Sequence, residues 1–138
     1  MKAEHAWNFT STYAHPLRTN NTHLASGQTV ITDAPVDNHG LGQAFSPTDL
    51  LATSLGTCVL TIMGITAKRR QWDIRGASAR VEKIMTQQGP RKIERLRIHA
   101  HLPEHCSDEQ RRLLIRMAED CPVKRNLEDA LTIELLWN

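Results

Sequence analysis

The longest apolar feature of the chain runs from Leu50 to Ala67, 18 residues without a charged side chain. Ser46 stands before it as an N-cap, Pro47 suits the first helical position, and Asp49 can complete a capping box. Lys68, Arg69 and Arg70 follow it and suit the negative end of a helix dipole. The pattern predicts a helix from Ser46 to about Arg70. A helix that is apolar on every side predicts burial on every side. Its small residues, Ala52, Ser54, Gly56 and Gly64, allow a neighbouring element to approach closely.

Elsewhere the pattern has shorter periods. The first 45 residues are rich in Thr, Asn, His and Gly and predict short strands joined by turns. The clearest strand lies in QTVITDAP, which Pro35 ends, and VDNHGLGQAF then has the chemistry of turns. ASARVEKIM and KIERLRIHAHL flank the turn QQGPR and predict a hairpin. In the second of these, Leu96, Ile98, Ala100 and Leu102 face one way, and Arg95, Arg97, His99 and His101 the other. Ser107 and Gln110 form a second capping box that opens the helix DEQRRLLIRMAED. CPVKRNLED predicts a short helical turn with Pro122 in its first position and Cys121 as N-cap. LTIELLW closes the chain as a strand. The order of strands, long helix, strands, helix and strand gives an α+β class in one domain, residues 1–138.

Composition narrows the function classes. The hydrophobic fraction is 40%, and 17 basic residues face 15 acidic ones for a net charge of +2. No basic stripe interleaved with aromatics appears, so no nucleic-acid partner is expected. The 18-residue run reaches the lower limit of a membrane span, about 17–25 residues. Thr53, Ser54, Thr57, Thr61, Thr66 and the two glycines make it a poor one, and no membrane partner is expected. In a domain this small the expected cover for the helix is a second subunit. The opening residues, MKAEHAWNFTSTYAHP, contain no apolar signal-peptide core. The three cysteines, Cys58, Cys106 and Cys121, form no disulfide framework, so a cytoplasmic protein with reduced thiols is expected.

Two cysteines are candidates for chemistry. Cys58 lies in the apolar helix, where a packing role is the plain alternative. Cys121 meets free backbone N–H groups at a helix start, with Lys124 and Arg125 nearby in sequence, and both effects favour a thiolate. The residues alone leave a functional thiol pair and two packing thiols both open. HAHLPEHC offers His99 and His101 on one strand face, but Arg95 and Arg97 share that face. A solvated face is favoured over a zinc site. Cys106 reads as a bystander in the loop before Ser107.

FSPTDLLATSLGTC, followed by EDCPV with its cysteine 63 residues after Cys58, resembles the OsmC/Ohr family of osmotically inducible and organic-hydroperoxide-resistance proteins. The resemblance implies an intertwined α+β homodimer, with antiparallel sheets wrapped around long central helices. It implies thiol-dependent reduction of hydroperoxides without a cofactor, regenerated by a dithiol reductant. On that basis Cys58 is the attacking thiol and Cys121 the resolving one. An Arg of the N-terminal strands, held by a Glu that follows the proline, would stabilise charge, and Arg18 is the positional match. Thr48 follows Pro47 here. The acid comes one position later, as Asp49, which either substitutes for the Glu or serves as the helix cap. In this the chain resembles the OsmC-like branch more than dedicated Ohr enzymes. The competing expectation is a non-enzymatic dimer that binds a small apolar ligand beside its central helices.

Overall fold

A computed structural model describes residues 6–138; the opening stretch read above as lacking a signal segment lies partly outside the described residues. The chain divides into two compact units, Met1–Leu50 and Leu51–Asn138.

The N-terminal unit is an antiparallel meander of β1 (Phe9–Ala14), β2 (Arg18–His23) and β3 (Thr29–Asp33). Its strands are short and bounded by turn residues, as the Thr/Asn-rich sequence implies. Gly27 closes the β2–β3 turn with φ of 74°, a conformation that costs glycine least. The register sets Arg18 opposite Ala14 on one side and Asp33 on the other. After Pro35 the chain makes a 3-10 turn at Val36–Asn38. Gly40 then passes so close to Ala34 that any Cβ would overlap the Ala34 carbonyl.

The capping box of the long helix forms as its sequence predicts. The Ser46 N–H donates to Asp49 Oδ2 at 2.9 Å, and the Asp49 N–H donates to Ser46 Oγ at 3.1 Å. Helix α1 then runs Pro47–Arg69. It ends where Gln71 takes a left-handed φ of 58° and the Trp72 N–H reaches back to the Ala67 carbonyl. Four polar residues of α1 are satisfied within the helix: Ser54, Thr57, Thr61 and Thr66 donate their hydroxyls to carbonyls three or four residues earlier.

In the C-terminal unit β4 (Ser78–Met85) and β5 (Ile93–His101) form the expected hairpin, with an irregularity between Ile84 and Met85. Helices α2 (Asp108–Ala118) and α3 (Pro122–Leu127) lead to β6 (Thr132–Trp137). The fold is the α+β class expected, with two three-stranded sheets and one long helix. One detail differs from the expectation of antiparallel sheets: β6 lies parallel to β5, so this sheet is mixed. The α2–α3 crossover carries the chain back to the starting end of β5, and a returning strand must then run the same way.

Burial on β5 follows the predicted alternation, with Leu96, Ile98 and Ala100 inside. On the outer face Arg97 bridges Glu82 and Glu134, and Arg95 also holds Glu134. These hydrogen bonds, the Arg97 one foremost, hold the Glu134 carboxyl below its ordinary value. Helix α1 buries one stripe in the same core, Ala52, Leu55, Val59, Met63 and Ala67. Gly56 lets β4 come close, since a Cβ there would sit 2.7 Å from a Val81 methyl. The all-round burial expected of α1 is not reached within one chain. The sheet covers a single stripe, and Leu51 and Ile65 remain 41% and 43% exposed. By length and composition α1 could also cross a membrane, yet this stripe packs against protein.

Leu96 is fully buried at the centre of this core. Leu96→Ala should cost about 2–5 kcal/mol through lost transfer energy and a residual cavity. A shift of the urea midpoint at unchanged slope measures it.

Candidate functional site

The C-terminal unit brings two of the three cysteines together. Cys58 lies at the edge of the buried stripe of α1, one turn after Leu55, and is half-buried. Cys121 is fully buried. It is the N-cap of α3 because Pro122 cannot donate a backbone hydrogen bond and fits the first helical position. The Cys121 sulfur accepts the Lys124 N–H at 3.3 Å. The Cys58 thiol lies beside it, close enough to act on its titration. Both sulfurs are free, and the contact joins positions that are 63 residues apart in sequence.

The electrostatics of Cys121 differ from what its local sequence suggests. Burial pushes its thiol above the ordinary value of 9.0 and outweighs the N–H groups of Lys124 and Val123, which pull the other way. The neighbouring Cys58 pushes it up as well. The two cations that seemed to favour a thiolate are engaged elsewhere. Lys124 Nζ lies 3.3 Å from the Glu119 carbonyl and 3.7 Å from Glu128, and Arg125 pairs with Asp120. The geometry therefore gives a partly exposed thiol in contact with a buried, protonated one.

Arg18 and Asp49 belong to the N-terminal unit. Asp49 is in the helix cap described above. Arg18 donates to the Gln43 side chain, and its Nη2 lies 3.6 Å from Asp33 Oδ2. Asp33 was not singled out in the sequence. It faces Arg18 only through the β2–β3 register, and the one local signal is its place at the end of the strand that Pro35 stops. Cys106 is buried in the turn before α2, where its N–H donates to the Pro103 carbonyl. His99 and His101 are exposed on the outer face of β5. Among the described residues no three His, Cys, Asp or Glu side chains converge in a way that would hold a metal.

The family model for OsmC-like proteins matches residues 40–136, and the chain belongs to that family. No curated protein sequence matches it. Its fold is similar to that of a protein from Psychrobacter arcticus 273-4 whose name assigns it to osmotic stress induction and detoxification response. The two are 38% identical over the full length of both chains, with a TM-score of 0.91. An organic hydroperoxide resistance protein OsmC from Legionella pneumophila shares the fold at 14% identity, with a TM-score of 0.73, over 98% of this chain and 99% of that one. The organic hydroperoxide resistance protein OhrB of Bacillus subtilis does so at 16% identity, with a TM-score of 0.68, over 94% of this chain and 96% of that one.

The raised Cys121 value has a consequence for stability. The folded state holds a proton that the unfolded chain gives up near pH 9.0, so this contribution is complete below that pH and is lost as pH rises above it. Unfolding in urea at pH 7 to 10.5 should show stability falling above pH 9, and Cys121→Ala should flatten that fall.

Proposed function

We propose that this protein is a thiol-dependent hydroperoxide reductase in which Cys58 attacks and Cys121 resolves. The observation that carries this reading is the placing of a half-buried Cys58 thiol beside a buried Cys121 thiol. A substrate reaches the more exposed sulfur, and the second waits beside it. The raised value of Cys121 supports the same order, because a thiol kept protonated is the poorer first nucleophile.

The Cys58 thiolate attacks the outer oxygen of ROOH. An S–O bond forms, the O–O bond breaks, and the alkoxide leaves as ROH after taking a proton. Cys58 is then a sulfenic acid. The Cys121 sulfur attacks that sulfur as it loses its own proton. Hydroxide leaves as water, and a Cys58–Cys121 disulfide remains. A small dithiol returns both thiols by exchange and is itself oxidised to a disulfide.

A thiolate inside an apolar helix needs a cation, and the departing alkoxide needs a donor. This reading assigns both tasks to Arg18, whose side chain keeps 32% exposure. It also assigns the uncovered face of α1, with Leu51 and Ile65, to a second copy of the chain. The setting is a compartment that keeps thiols reduced.

Trapping experiments test the order of the thiols. Cys121→Ser should accumulate a sulfenic acid at Cys58 after one equivalent of organic hydroperoxide, and Cys58→Ser should consume almost none. The reverse pattern would make Cys121 the attacking thiol. Light scattering at low micromolar concentration should show a species of twice the chain's 15.6 kDa. A species of one chain mass would remove the second copy from the account.

A further inference from the structure

The cation assigned to the reaction sits in a built cradle. Arg18 and Asp33 are directly opposed across the β2–β3 ladder. The Asp33 side chain is 1% exposed, while that of Arg18 is 32% exposed. Asp33 is fixed from two directions: its backbone N–H donates to the Phe45 carbonyl at 3.0 Å, and its Oδ2 accepts the Gln43 N–H at 2.9 Å. The same Oδ2 lies 3.6 Å from Arg18 Nη2, and that nitrogen also donates to the Gln43 side chain. Asp33 Oδ1 is buried and accepts nothing among the described residues.

A carboxylate is an expensive group to bury, and an acceptor left empty adds to the cost. The Gln43 N–H does not require it, since the side-chain oxygen of an Asn would accept the same hydrogen bond. What a carboxylate adds over a neutral amide is charge, and the cation in contact with it is Arg18. The empty Oδ1 offers a second guanidinium N–H a place, so the contact can become bidentate. Asp49, the nearest acid to Pro47 in sequence, has its Oδ2 engaged by the helix cap.

From this we infer that Asp33 is the positioning residue for Arg18. Together with Gln43 it fixes the planar fork, and through Arg18 it sets how well charge on the reacting thiol and the leaving oxygen is met. The inference rests on the role given to Arg18 above, and it names a residue that acts only through Arg18.

Two measurements test it. In NMR spectra of the 15N-labelled wild-type protein, a held guanidinium rotates slowly and gives separate Nη1 and Nη2 resonances for Arg18. Asp33→Asn should merge them. A single averaged resonance in the wild type would overturn the inference, whether or not Asp33→Asn folds. The second measurement is kcat/KM for an organic hydroperoxide in Arg18→Lys, Asp33→Asn and the double variant, with folding checked by circular dichroism. Asp33→Asn should lose about tenfold or more, the scale of a misplaced catalytic group. The double variant should be little worse than the poorer single one. Losses that multiply, or an Asp33→Asn variant as fast as wild type, would overturn it. If the wild type reduces no hydroperoxide, the proposed function falls, and the resonances of Arg18 alone decide whether Asp33 holds it.

Discussion

The Leu55–Val59–Met63 stripe of α1 has to be kept from water, and the β4–β5–β6 sheet does this on one side only. That constraint orders the C-terminal unit. It brings Gly56 against Val81 and uses the apolar alternation of β5. The same packing holds Cys58 at the boundary between the buried stripe and the open face. The hydroxyls of Ser54, Thr57, Thr61 and Thr66 return their hydrogen bonds to the helix and so add little polarity to its surface.

The thiol pair depends on this arrangement and on one local device. Pro122 starts α3 and leaves Cys121 as its cap, so the backbone holds the second sulfur in place at 3.3 Å from the Lys124 N–H. A cap normally favours the charged form of its residue. Here the cap is inside the core, and desolvation is the larger effect. The outcome is a half-buried thiol beside a buried one whose pKa is raised, the arrangement that the proposed attack and resolution would use.

What could be read from the sequence was what short-range chemistry decides. Ser46 with Asp49 and Ser107 with Gln110 announced both helix starts, because a capping box is complete within four residues. Leu96, Ile98 and Ala100 announced the buried face of β5, because strand alternation needs no knowledge of the partner strand. What failed depends on distant residues. The parallel placement of β6 follows from the path of a crossover, and the facing of Arg18 and Asp33 from a strand register. The raised value of Cys121 comes from the core around it, whereas Lys124 and Arg125 were visible as neighbours but are paired with other groups. The two cysteine motifs were legible, and their spacing placed both thiols in one family pattern. Their contact is a property of the folded chain.

The central claim is that Cys58 and Cys121 form one redox couple. Its most direct test is peptide mapping of the wild-type protein by mass spectrometry, after one equivalent of an organic hydroperoxide and alkylation without reductant. The account predicts one linked peptide pair, joining Cys58 to Cys121, with Cys106 recovered as an alkylated thiol once the chain is unfolded. Recovery of all three cysteines as free thiols, or a disulfide that includes Cys106, would contradict it.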